Sequence, residues 1–391
     1  MILPVERKDT IVFPDNRRVI ARFFHNGDER AKKLIENIML VPEKEVEHLM
    51  YQILREFSKR HRSITGIFNR HLKKVGHVVE EVTAGQHLSE WRKLLIGSYF
   101  TMEYALESTA LFNPSVVEDF DQSGLQKGQK RIIISFRATG EGHISSLVFR
   151  RAVINEDNSI TMPEPGDQIG EAERIKNHVY YKKEFLRIFK EMDIDLVFSE
   201  SIMEKLPDRF TYDQIREVLD NLKRQNPNFT FEQNRVIDEI LWLADSHTEI
   251  RFSLDTDLSE RVIFPISRFE KNGIEDARFT RFVNTNGEVT YYATYTAYDG
   301  YSILPKLIET KDFLTFRMFP LTGKYAIDKN LVLFPRKIND KYAMISRIDG
   351  INNYIMFSDS LHKWHDAQIL SEPAHPWEFV QMGNGGTPIE T

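Results

Sequence analysis

The 391-residue chain has no cysteine, so it can form no disulfide, no thiolate metal site and no cysteine nucleophile, and it fits a reducing compartment. No apolar run reaches the roughly 20 residues that a membrane helix needs. The opening Met1-Ile2-Leu3-Pro4-Val5-Glu6-Arg7-Lys8-Asp9 lacks a cationic segment leading into an apolar one, as a secretory leader would have. The expectation is a cytoplasmic protein with no membrane partner. A surplus of basic charge is also missing: the net charge is −6, which argues against nucleic acid as a partner. Lys59-Arg60-His61-Arg62 is the one counter-signal, read as a solvated face of a helix with acidic neighbours. Dinucleotide glycine turns, phosphate-binding Walker loops, His-Glu-x-x-His and Gly-x-Ser-x-Gly are all absent. Nothing in the sequence places a metal or an organic cofactor.

What is present changes in texture along the chain. Residues 28 to 108 read as helices: after Pro42, the residues Val46, Leu49, Met50, Ile53, Leu54 and Phe57 form one apolar stripe at three-and-four spacing. Ile64, Ile67, Phe68, Leu72 and Val75 continue it, and Leu88, Trp91, Leu94 and Leu95 open a stretch running to about Ser108. Such stripes serve either as a homo-oligomer interface or as packing against the body of the same chain. From Asn113-Pro114 a period of two takes over, with strands expected at 131–137 and 143–154 and a turn at 155–159. Helical spacing returns at about 182–247. There Thr211-Tyr212-Asp213-Gln214 and Thr230-Phe231-Glu232-Gln233 have the form of capping boxes.

Beyond residue 260 the chain repeats itself. Tyr291-Tyr292-Ala293, Asp299-Gly300 and Phe313-Leu314-Thr315-Phe316 are echoed by Tyr342-Ala343-Met344, Asp349-Gly350 and Leu361-His362-Lys363-Trp364, at offsets of 51, 50 and 48 residues. A four-stranded unit of some 40 to 50 residues is what a propeller blade requires, although a β-sandwich can also hold such hairpins. Regions near 113–155, 260–320 and 325–370 supply three units, and the segment from Trp377 is expected to begin a fourth. In Asn272-Gly273-Ile274-Glu275-Asp276-Ala277-Arg278, two adjacent carboxylates and an arginine follow a glycine turn. That position suits either a channel-facing acid or an ordinary surface Asp-Arg pair.

Five strings, in order, resemble glycoside hydrolase family 130: Phe112-Asn113-Pro114-Ser115; Phe136-Arg137-Ala138-Thr139-Gly140-Glu141; Gly273 to Arg278 with Tyr292-Ala293-Thr294-Tyr295-Thr296-Ala297-Tyr298; Leu333-Phe334-Pro335-Arg336-Lys337-Ile338; and Gly383-Asn384-Gly385-Gly386. The resemblance covers residues 110–391 apart from the helical insertion. It implies a mainly β, five-bladed propeller at 109–391, carrying the insertion and preceded by a helical extension at 1–108. It implies inverting cleavage of β-mannosides, by phosphorylases or mannosidases. Asp276 matches the family's proton donor, which in the phosphorylases acts through the 3-hydroxyl of the mannose. Inorganic phosphate would attack the opposite face as co-substrate and release mannose 1-phosphate. Asn113, Arg137 and Asn330 match sugar-binding positions, and Lys329, Arg347 and Gln381 fall where phosphate is held.

Two departures qualify the match. Ala277 stands where the family motif has proline, which should loosen the turn without removing the acid. Gln381 stands where the phosphorylases carry a phosphate-binding lysine, and a neutral amide brings no charge. Hydrolysis with Glu275 or Glu390 as base, and a non-catalytic glycan-binding propeller, are therefore the competing readings. Three units and part of a fourth also lead to the expectation of an incomplete ring, its last blades missing, with Asp276 facing the channel and the opposite side open.

Overall fold

The computed structural model describes residues 7–175, 179–191, 194–226 and 228–390. Met1 to Glu6, most of the segment read for a leader, and Thr391 lie outside these residues. The chain is mainly β with helices. It opens with β1 (Val19–Phe23), followed by α1 (Asp28–Met39), α2 (Glu43–Phe57), α3 (Ile64–Lys74), α4 (Gly76–Thr83) and α5 (Glu90–Tyr99). The α2 stripe is buried inside the chain, where Val46 and Met50 join Ile64, Phe68, Leu95 and Ile96 in one apolar cluster. The helical run ends earlier than the periodicity suggests. Residues Thr101–Ala105 form β2, antiparallel to β1, a pairing across some 80 residues that local periodicity cannot reveal. Lys59 to Arg62 is likewise not on a helix but in the turn after α2. Its charges are paired: Lys59 with Glu56 at 2.8 Å, Arg60 with Glu103 at 2.7 Å, and Arg62 with Asp255 at 3.0 Å.

The β region begins with an antiparallel meander of β3 (Ala110–Glu118), β4 (Lys130–Thr139) and β5 (Ser145–Ile154). The chain then leaves through the two-residue strands β6 (Ile160–Thr161), β7 (Gly170–Glu171), β8 (Glu173–Arg174) and β9 (Tyr180–Tyr181). Next come α6 (Lys182–Glu191), α7 (Leu196–Met203), β10 (Arg209–Phe210), α8 (Tyr212–Gln225) and α9 (Phe231–Ser246), which enclose their own apolar core. Both expected capping boxes form, Thr211 with Gln214 and Thr230 with Gln233. After β11 (Thr248–Arg251), β12 (Arg261–Ile263) returns to pair with β5 as the fourth strand of the first meander.

A second meander follows: β13 (Gly273–Val283), β14 (Val289–Tyr298), β15 (Ile303–Thr310) and β16 (Thr315–Pro320). β11 adds to its outer edge beside β16, so the chain between β5 and β12 clasps both meanders. The third is β17 (Val332–Leu333), β18 (Tyr342–Ser346), β19 (Asn353–Ser358) and β20 (Asp366–Ser371). The internal repeat is visible as chemistry. Asp299 accepts from the amides of Tyr301 and Ser302, and Asp349 accepts from those of Ile351 and Asn352, giving the same side-chain-closed turn twice. Phe149, Phe279 and Phe313 pack between the first two meanders, and Phe282, Met344 and Trp364 between the last two. The segment from Trp377 does not begin a strand. Among the described residues, 372–390 holds only a short 3₁₀ turn at Pro376–Glu378, and hydrogen bonds from this segment run to β13 and the third meander instead.

Two contacts set where β13 starts. Gly273 pairs in parallel with Ser145, and a Cβ on it would meet the Ser145 Cβ at 2.8 Å, so only glycine allows this approach. Just before it, the buried Glu270 accepts from Lys306 Nζ at 2.9 Å, from the Tyr295 hydroxyl at 2.6 Å and from the amides of Ile266 and Ser267. Burial pushes this carboxyl up, but Lys306, Tyr295 and the Ser267 amide together outweigh it and hold the value at about 2. A folded value below the unfolded one stabilises above about pH 4.5, and that stability is lost as pH falls from there towards 2. The loss is on the order of 3 kcal/mol. Chemical denaturation between pH 7 and pH 3 should show it, and Glu270→Gln should be less stable at pH 7 with a flatter acid limb. An unchanged acid slope in Glu270→Gln would rule out this origin.

Candidate active site

The first strand of each meander carries a residue of left-handed backbone at its start or middle: Asn113 (φ 48°) in β3, Asp276 (φ 54°) in β13 and Asn330 (φ 69°) just before β17. Asn and Asp tolerate this conformation better than other residues with a Cβ. In β3 and β13 the register slips by one residue at these points, between Phe112 and Ser115 and between Glu275 and Arg278. Bulges of this kind re-aim side chains. The two are tied to each other, because the amide of Phe279, just past the second bulge, donates to the Ser115 hydroxyl at 2.8 Å.

The β13 bulge has a chemical consequence. Neighbouring residues of a regular strand point to opposite faces, yet Glu275 and Asp276 both reach one guanidinium. Arg137 of β4 donates through Nη2 to Glu275 Oε1 at 2.8 Å and through Nη1 to Asp276 Oδ1 at 3.2 Å. Its Nε donates to Ser145 at 2.9 Å. The other Glu275 oxygen accepts from Lys329 Nζ at 2.8 Å. Glu275 is 7% exposed and Asp276 17% exposed, so the second carboxylate retains more access to solvent.

Arg278 forms the second half of the cluster. It donates to Asn330 Oδ1 at 2.6 Å and to the carbonyls of Gly385 at 3.1 Å and Asn384 at 3.2 Å. Asn384 returns a bond from Nδ2 to the Asn330 carbonyl at 2.7 Å. Burial lowers the Arg278 guanidinium from its usual value, Asp276 raises it and the Arg347 charge lowers it. Arg347 is therefore within electrostatic reach, with its Nε 3.5 Å from Asp328 Oδ2. Arg137, Arg278, Lys329 and Arg347 thus surround Glu275, Asp276 and Asp328.

Of the residues singled out in the sequence, Arg137, Asp276, Lys329 and Asn330 come together here, with Arg347 alongside. Asn113 is exposed at its own bulge and Gln381 is exposed ahead of the glycine-rich turn. Among the described residues neither donates to or accepts from the cluster. Glu275 is held by two cations. Glu390 pairs with Arg336 at 2.8 Å near the far end of β13, where Val283 donates to Pro335, roughly 20 Å along the strand from Asp276. Arg278 and Asn384 had no role assigned from the sequence, although both stand inside the quoted strings. The described residues contain no group of three or more His, Asp or Glu able to hold a metal ion, and no helix among them is long and apolar enough to cross a membrane.

Residues 218–391 match the family model for glycoside hydrolase family 130, described as beta-1,4-mannooligosaccharide phosphorylase. Over that segment the chain is similar to glycoside hydrolase family 130. Similar curated proteins are a 1,2-beta-oligomannan phosphorylase from a Thermoanaerobacter species, 32% identical over 31% of this chain and 40% of the relative, and a Beta-1,2-mannobiose phosphorylase from Listeria innocua, 25% identical over 44% of this chain and 52% of the relative. The chain thus spans between two-fifths and about half the length of these relatives. A solved structure of the Listeria innocua enzyme with beta-1,2-mannobiose superposes with a TM-score of 0.33 at 19% identity, covering 72% of this chain and 65% of that one. A glycosyl hydrolase from Bacteroides ovatus gives 0.34 at 13% identity, covering 70% and 55%. Neither superposition is close enough to bear on the site.

Within this segment, Arg278 is the link between β13 and residues 384–385. Removing it leaves two carbonyls and the Asn330 side chain without their charged donor, at a cost of about 1–3 kcal/mol. Hydrogen exchange of Arg278→Ala should show faster exchange over residues 382–387 with the β14 and β15 amides still protected. Exchange unchanged over 382–387 would mean that Arg278 does not hold the turn.

Proposed function

We propose that the chain cleaves β-mannosides by inverting phosphorolysis, with Asp276 as the proton donor, on meanders that are blades of a five-bladed propeller. The observation that carries this reading is the bulge that sets Asp276 beside Glu275, on one guanidinium, within a cluster of four cations. The family match and the names of the relatives, all β-mannoside phosphorylases, supply the reaction class.

The division of labour follows from chemistry. Asp276 passes its proton to the departing glycosidic oxygen through the 3-hydroxyl of the mannose. Arg137 holds the Asp276 carboxylate in place from the first meander, and Asn113 and Asn330 contribute contacts to the sugar. Phosphate attacks the anomeric carbon from the other face, and Lys329 and Arg347, with Gln381, bind it and offset the charge that develops. An inverting hydrolase instead needs a base about 6.5–9.5 Å from the acid to activate water. The two carboxylates nominated for that role are engaged, Glu275 by Arg137 and Lys329 and Glu390 by Arg336, which favours phosphorolysis. No organic cofactor or metal enters the reaction as proposed.

Incubation with β-1,2- and β-1,4-mannobiose, with and without inorganic phosphate, tests the reading. Mannose 1-phosphate should form at a rate that saturates with phosphate. Asp276→Asn, which keeps a side chain suited to left-handed backbone, should fold and lose about 10² to 10⁴ in rate. Phosphate-independent release of mannose would support a hydrolase, binding without turnover a lectin-like protein, and full activity in Asp276→Asn would remove the acid from its role.

A further inference from the structure

A second charged recess lies away from this cluster, between the N-terminal helices and the first meander. It is a cavity of about 480 Å³ bordered by β1, α3, residues 170–172 and residues 262–266. Arg22, Arg70 and Lys74 face it, against one carboxylate, Glu171. Arg70 is 3.6 Å from that carboxylate. Among the described residues Arg22 and Lys74 have no carboxylate within ion-pair distance. Arg22 is half-buried, its guanidinium 5.0 Å from the centre of the Tyr104 ring and 4.8 Å from that of Phe264. Lys74 Nζ stands 4.7 Å from the Phe23 ring centre.

Three cations against one carboxylate leave the recess with a positive balance, which favours an anion that reaches it. The aromatic faces fix the positions of Arg22 and Lys74: stacking leaves the edge of the Arg22 guanidinium free to donate. His71 forms part of the same wall. Burial and the charges of Lys74 and Arg70 hold it down at about 4, so it is neutral at pH 7, and its Nδ1 lies 2.7 Å from the Thr101 hydroxyl. The volume falls within the range of small-molecule sites. We infer that this recess binds a phosphate monoester of a small sugar, with Arg22 and Lys74 on the phosphate and Phe23 and Phe264 against the sugar ring. The site is distinct from the Asp276 cluster and does not depend on the reaction proposed for it.

Calorimetric titration of the whole chain with glucose 6-phosphate, inorganic phosphate and glucose provides the test. The ester should bind with a Kd at or below about 1 mM, inorganic phosphate about tenfold more weakly in its Lys74-dependent part, and glucose not at all. Lys74→Gln, an exposed change that leaves folding intact, should weaken ester binding by about tenfold, Arg22→Gln should weaken it further, and added salt should weaken it in the wild type. Lys329→Gln should leave it unchanged. Failure of the ester to bind, Lys74-dependent binding of inorganic phosphate as tight as that of the ester, indifference to Lys74→Gln, or loss through Lys329→Gln would each overturn the proposal.

Discussion

Glu275 is the point on which the arrangement of the three meanders turns. A carboxylate only 7% exposed needs close polar partners, and its two oxygens take theirs from outside its own meander. Arg137 comes from the first meander and Lys329 from the chain entering the third, while Glu275 belongs to the second. Moving any one meander strands a buried charge, which is worse than losing a surface pair. The Gly273 approach to Ser145 and the Glu270 anchor serve the same end, since both fix where β13 begins.

The bulge sets a second carboxylate beside that structural knot. Without the extra residue at Asp276, strand alternation would send the two carboxylates to opposite faces. With it, Glu275 takes the strong, buried contacts and Asp276 keeps a single longer one, 3.2 Å from Arg137. One carboxylate is thereby a fixed counter-ion, and its neighbour keeps more access to solvent. The same one-residue slip occurs at Asn113 in the first strand of the first meander.

What could be read from the sequence was set by how local its cause is. Capping boxes at Thr211 and Thr230 and the Asp299 and Asp349 turns are closed by residues two or three positions away, and all four are as the sequence indicates. The β1–β2 pair and the placement of β11 beside β16 depend on partners far along the chain, and periodicity could not supply them. The basic stretch at Lys59 was misplaced onto a helix for the same reason: its partners Glu103 and Asp255 are distant in sequence. Within the site, the family resemblance points to Asn113, Arg137, Asp276, Lys329, Asn330, Arg347 and Gln381. Arg278 and Asn384 went unassigned because their roles are bonds to one another's surroundings and to backbone carbonyls, which leave no signature in residue type.

The proposed chemistry makes a stereochemical commitment, since attack opposite the leaving group reverses the anomeric configuration. The most direct measurement is proton and phosphorus NMR of the first-formed product when β-mannobiose and phosphate are mixed with the protein. The α anomer of mannose 1-phosphate is the predicted product, its configuration locked by the phosphate on the anomeric carbon. A β-configured phosphate, or mannose released with no phosphate ester, would contradict inverting phosphorolysis at Asp276.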